Sequence, residues 1–232
     1  MREICVVQHT EGEFLGLMED HFESRAIRFT YHRPFVAGGG LPTEPGGASA
    51  LILLGAGPFG MVSGNLLPSM GAELRLTERF LAAGLPVIGT GLGSAILAVA
   101  AGGGVHAAPL RFVVGSARRL VDDALGGYLP EQYPLVRYGR DRALPPPGAT
   151  ILAEDEEGAP ALFQVGTGAL GFSGHPGMKR AMVEDLVMEF DESPDGLSEG
   201  LAALGLVQRA LADALSRTMV GLVGFAGLMP AP

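Results

Sequence analysis

Residues Pro86 to Ala98 read Pro-Val-Ile-Gly-Thr-Gly-Leu-Gly-Ser-Ala-Ile-Leu-Ala, an apolar β-rich run that passes through alternating glycines directly into an apolar helical run. A strand that enters a helix through so tight a turn puts one backbone position at the edge of a sheet. In α/β enzymes that position often carries a nucleophile, held beside free backbone N–H groups that stabilise an oxyanion. Here the apex is Gly91, which has no side chain.

The remaining chain supplies the body around this turn. With 232 residues, 47% of them hydrophobic, there is ample core for one compact domain. A formal charge of −9 excludes a nucleic-acid surface, because phosphate neutralisation requires clustered Lys and Arg. Cys5 is the single cysteine, so no internal disulfide forms and no thiolate metal site is available; it reads as a buried strand residue. The start, Met1 to Val7, is too short and too early interrupted by Glu3 to be a signal peptide, and no apolar run is long enough to span a bilayer. The location expected is cytoplasmic.

Read in order, strands are expected at Ile4 to Gln8, Ala26 to Tyr31 and Ala50 to Leu54, with a helix from Glu13 to Phe22 and a surface loop over Gly38 to Gly47. Gly55-Ala56-Gly57-Pro58-Phe59-Gly60 satisfies the G-x-G-x-x-G pattern. Pro58, Gly64 and Pro68 forbid the regular helix a dinucleotide site needs, so the segment reads as an irregular loop at a strand's C-terminal end and no cofactor is expected. A helix follows from Glu73 to Ala83, then the Pro86 strand. Alternation of strands and helices implies a parallel sheet, with its crevice beyond the strand ends where Gly55 to Gly60 and Gly89 to Gly93 both fall.

Past Gly104 the texture changes to short strands at 110–114, 135–138, 150–153, 161–165 and 169–172, with helical turns around Arg118 to Leu125. These strands make the sheet mixed. Leu144 to Gly148 is a rigid proline connector, and Glu154 to Gly158 reads as a solvated hairpin turn rather than a metal site. Helices are expected from Met178 to Phe190 and from Leu197 to Arg217, with Leu197, Leu201, Leu204, Leu211 and Leu215 near one face. The tail from Met219 to Met229 is apolar on nearly every side. This divides the chain into an α/β body over residues 1–192 and an apolar helical extension over residues 193–232.

From Ile4 to about Phe190 the chain resembles a class I glutamine amidotransferase domain, in which a Cys-His-Glu triad hydrolyses glutamine and passes ammonia to a partner synthase. Leu53-Leu54-Gly55-Ala56-Gly57-Pro58 resembles that family's oxyanion strand and loop. Pro86 to Ala98 resembles its nucleophile segment, P-V-x-G-x-C-x-G-x-Q-x-L-A, and Gly174-His175-Pro176-Gly177 its closing H-P-E. Asp141 to Gly148 is similar to the polar pair and L-P-x-G that precede it. The resemblance implies a flavodoxin-like three-layer fold with a mixed, largely parallel central sheet and an added C-terminal helix. It also implies a site in which Gly57, Gly91, Leu92 and His175 face a ligand. The departures fall on the chemistry: the nucleophile position is Gly91, the substrate-packing Gln position is Ala95, and the acid position is Gly177. Of the triad only His175 remains. Nucleophilic acyl transfer needs a thiol or hydroxyl in reach of a base, and glycine offers neither.

Three functions are open to such a chain. It is a non-catalytic amidotransferase-like subunit, homo-oligomeric or bound to a synthase-like partner through its apolar extension. Alternatively it is a hydrolase whose nucleophile is replaced by Thr90, Ser94 or Ser173 with His175 as base. The third reading is a sensor that holds a small anionic ligand on the cradle of Gly89, Gly91 and Gly93 at a helix N-terminus, beside His175.

Overall fold

The computed structural model describes residues 2–229; Met1 and the last three residues of the expected extension lie outside the described residues. The first hundred residues form strands β1 (Glu3–Val7), β2 (Arg28–His32), β3 (Ala50–Leu53) and β4 (Val87–Thr90) with helices α1 (Met18–Glu23), α2 (Met70–Ala82) and α3 (Leu92–Ala100). Strands β5 (Gly104–His106), β6 (Arg111–Arg119), β7 (Gln132–Gly139), β8 (Arg142–Leu144), β9 (Thr150–Asp155), β10 (Pro160–Val165) and β11 (Ala169–Phe172) follow, then helices α4 (Arg180–Glu189) and α5 (Leu197–Phe225).

Nine strands form one sheet in the order β2-β1-β3-β4-β11-β10-β9-β6-β7, and β5 and β8 pair as a separate ribbon. The pairings from β2 to β11 are all parallel, and those from β11 to β7 are all antiparallel. Only β10 and β6 therefore run against the rest, and the sheet is mixed and largely parallel in direction. The period-2 alternation of the strands sorts their side chains to two faces. Ile4, Val6, Ile52, Ile88 and Leu170 join α1 and the end of α5 in one apolar cluster, while Cys5, Val7, Leu51, Leu53 and Val87 join α2 and α3 in another. A third cluster packs Phe112, Val136 and Tyr138 under α4 and the first half of α5. The three-layer α/β fold implied by the sequence is thus the fold of the chain.

Four local expectations are corrected. The helix expected from Glu13 begins only at Met18, because Gly16 has φ +63° and cannot continue a right-handed helix. Strand β6 runs on to Arg119, paired with β7 as far as Arg118 and with β9 at Arg119, so the turns expected around Arg118 to Leu125 begin only after the strand, over 122–128. The ribbon of β5 and β8 lies outside the strands expected from the sequence, and β8 takes in Leu144, the first residue of the expected proline connector. Helix α5 continues to Phe225, and Met219, Leu222 and Val223 are buried against the chain's own body. Among the described residues no helix is long and apolar enough to cross a membrane.

Candidate functional site

Gly91 stands between β4 and α3 with φ +53° and ψ −122°, a backbone conformation that side chains of L residues rarely adopt. Its neighbours are glycines for a different reason. A Cβ on Gly93 would overlap the carbonyl of Leu53, and one on Gly89 would overlap Gly93, so only glycine lets α3 seat this close to β3 and β4. Gly91, Gly93 and Ser94 commit their donors within the chain. Gly91 N–H donates to the Phe172 carbonyl at 3.0 Å, Gly93 N–H to Leu54 at 3.1 Å, and both the N–H and the hydroxyl of Ser94 donate to the Gly91 carbonyl, at 3.1 and 2.7 Å.

The loop after β3, Gly55 to Gly60, is met by a residue that sequence reasoning passed over. Glu13 is buried, and its Oε2 accepts a hydrogen bond from the Gly57 N–H at 2.9 Å. A Cβ on Gly55 would overlap the same carboxylate, and one on Gly91 would lie 3.8 Å from Oε1. Burial pushes the Glu13 carboxyl up to about 7, against the smaller opposing pull of the Gly57 hydrogen bond and of His9. Glu13 is itself anchored by its N–H, which donates to Thr10 Oγ1 at 3.1 Å.

His9, also buried, supports the loop from behind. Its Nδ1 donates to the Gly55 carbonyl at 2.9 Å, and its Nε2 meets Glu73 Oε2 at 2.7 Å. Burial opposes a charge on this imidazole, but the Glu73 carboxylate, the Gly55 carbonyl and Glu13 together outweigh it and raise the pKa. Both His9 and Glu13 follow the C-terminal end of β1, on the edge where an α/β sheet places its crevice. That position is the signal by which Gln8-His9-Thr10-Glu11-Gly12-Glu13 could have been singled out in the sequence.

His175, in the loop after β11, is held by backbone on both ring nitrogens. Nδ1 accepts from the Gly177 N–H at 3.1 Å, and Nε2 lies 2.7 Å from the Phe14 carbonyl, which can only accept. The tautomer assigned by these partners carries its proton on Nε2. Burial takes the imidazole down to about 4, so it is neutral near pH 7. Gly177 in turn has no room for a side chain. A Cβ there would lie 2.8 Å from the Leu15 carbonyl and 3.0 Å from Met18, and the Leu17 N–H donates to the Gly177 carbonyl at 2.9 Å. The segment Glu13 to Met18 thus meets Gly57, Gly91 and His175 together.

The hydroxyls considered as substitute nucleophiles are placed without a base. Ser94 is engaged with Gly91, while Thr90 Oγ1 and Ser173 Oγ are buried with no hydrogen-bond partner. Among the described residues no hydroxyl or thiol bonds to His175. Asp141, in the stretch before the proline connector, latches the far side of the loop after β3. Its carboxylate accepts from the N–H groups of Met61, Val62 and Ser63 at 2.8, 2.9 and 3.2 Å, from Ala108 N–H, and from the Ser63 hydroxyl. Burial alone would raise the Asp141 carboxyl, but these hydrogen bonds prevail and lower it. No three His, Cys, Asp or Glu side chains stand together as metal ligands among the described residues.

A glutamine amidotransferase of Thermotoga maritima superposes on this chain with a TM-score of 0.80, covering 97% of this chain and 98% of its own at 22% identity. The fold is that of the class I glutamine amidotransferases. A second glutamine amidotransferase, from Methylobacillus flagellatus, matches with a TM-score of 0.75 over 95% of both chains at 24% identity. A GMP synthase component from Thermoplasma acidophilum matches with a TM-score of 0.61 over 90% of this chain and 98% of its own at 16% identity. No family model and no curated protein matches the sequence.

Proposed function

We propose that this chain is an amidotransferase-like protein without glutaminase activity, acting as a structural or regulatory subunit of a larger assembly. The observation that carries the reading is the pairing of a side-chain-free elbow at Gly91 with the Glu13 carboxylate on the Gly57 N–H. Glutamine hydrolysis needs a nucleophile at the elbow, an activating base and a donor pair aimed at the developing oxyanion. In this chain the first is missing, His175 is tied to the Phe14 carbonyl, and the Gly57 N–H is already taken by the Glu13 carboxyl. Similarity to the GMP synthase component supports a subunit role, since that name denotes one part of a larger assembly.

The test is incubation of the full chain with glutamine under a sensitive ammonia assay. No release above the buffer rate is expected. Turnover that disappears on His175→Ala would overturn the loss of activity. For the subunit role, light scattering on the untagged protein from its native cell should find it in a complex larger than one chain; a lone monomer overturns that part.

A further inference from the structure

Arg137 lies in β7 between Val136 and Tyr138, whose side chains enter the apolar cluster under α4 and α5. Strand alternation puts Arg137 on the opposite face. There it is only 9% exposed, yet among the described residues it makes no ion pair and no side-chain hydrogen bond. A buried guanidinium without a partner is a costly arrangement that folding alone does not explain. Burial, then repulsion from Arg142, outweighs the attraction of Asp155 and Glu157, neither within ion-pair distance, and brings its pKa down to about 10, so it keeps its charge near pH 7.

Arg137 faces a cleft of about 310 Å³ between β7 and the chain joining β5 to β6, lined also by Arg111, Arg140 and Arg142. Four of the chain's 16 cationic side chains meet there, on a molecule of net charge −9. Two carboxylates, Asp141 and Glu157, share the wall. Asp141 is occupied by the loop N–H groups and the Ser63 hydroxyl, and Glu157 pairs with Arg142 at 2.8 Å. Arg140 is held by Glu192 and by the Pro58 carbonyl. Arg111 and Arg137 remain as two guanidiniums with no ion-pair partner among the described residues.

We propose that this cleft binds a small phosphate-bearing metabolite, with Arg137 and Arg111 forking its phosphate oxygens. Two free guanidiniums match the charge of a phosphate monoester, close to −2 at neutral pH, and their planar donor forks match its three acceptor oxygens. The volume falls at the small end of ligand sites, enough for phosphate and a compact organic body. The site contains neither Gly91 nor His175, and it stands whether or not the elbow is catalytically silent.

Calorimetric titration of the full chain with inorganic phosphate at about pH 8, where phosphate is a dianion, tests the site at constant ionic strength. Parallel titrations use succinate and chloride. Saturable phosphate binding is expected, weakened about tenfold or more in Arg137→Met and in Arg111→Met, and unchanged in Arg209→Met on the exposed face of α5. Arg137→Met should melt no lower than the parent chain without phosphate, since it removes an unpartnered buried charge. Absence of saturable phosphate binding overturns the proposal, as does unchanged affinity in both cleft variants. Tighter binding of succinate than of phosphate would overturn the choice of phosphate.

Discussion

Glu13 Oε2 accepts the Gly57 N–H at 2.9 Å, so a carboxylate of the chain itself occupies the loop that resembles an oxyanion hole. The pairing ties a buried acid to the strand-end glycines, and its protonation is coupled to the stability of the site.

Glu13 is raised from 4.5 to about 7 in the folded chain, so it holds a proton that the unfolded chain has lost, and stability falls as pH rises from 4.5 to 7. His175 is lowered from 6.5 to about 4, so the unfolded chain binds the extra proton and stability falls as pH drops from 6.5 to 4. The two slopes oppose each other between pH 4.5 and 6.5, whereas His9, raised above 6.5, contributes fully below that value. Glu13→Gln should unmask the His175 slope, its unfolding free energy rising by roughly 3 kcal/mol from pH 4 to 6.5. Urea denaturation across this range checks it, and identical pH slopes in both proteins would sink the idea.

Placing a side chain at the elbow should be tolerated at a cost and should not create activity. Gly91 has φ +53°, while its Cβ position is 3.3 Å from the nearest atom, so the penalty is chiefly conformational. Gly91→Cys should destabilise by about 1–3 kcal/mol and release no ammonia from glutamine, because His175 remains committed to the Phe14 carbonyl. Denaturant titration and the ammonia assay read the two halves separately.

Gly177 should prove less tolerant. Its Cβ position lies 2.8 Å from the Leu15 carbonyl, within a segment fixed by the Leu17 to Gly177 hydrogen bond, so even Gly177→Ala forces backbone to move. A loss of about 1–3 kcal/mol is expected for alanine, and Gly177→Glu should fall further. Thermal melting of the two variants checks the order; an unperturbed glutamate variant would contradict the packing described here.

Helix α5 should be indispensable to the body. Leu222 is fully buried among strand residues and α1, so Leu222→Ala should cost about 2–5 kcal/mol. Ending the chain after Pro194 would strip cover from Val136, Ala124 and Leu129 and should give aggregated protein. Solubility and light scattering of the truncated chain decide this, and a soluble monodisperse product would count against it.

The sequence by itself determined the local grammar of this protein. Apolar β-rich runs fix β1, β3 and β4, the last two ending in glycine, and the alternating glycines of residues 89–93 fix an elbow at Gly91, since these features depend only on neighbours along the chain. Periodicity also set the start of α5 but not its end at Phe225, which depends on strands far away that bury Met219 and Leu222.

Only the tertiary structure decided what surrounds the elbow. Gly16 broke the helix expected from Glu13, and the irregular segment that resulted carries Glu13 to Gly57, 44 positions away, and Phe14 to His175, 161 away. Arg137 likewise reads as one polar residue in a strand until β6, β8 and their loops close around it. Such contacts follow from the folding of distant segments onto one another, so the ionisation of Glu13 and His175, and the unpartnered charge of Arg137, arise from burial that no local pattern encodes.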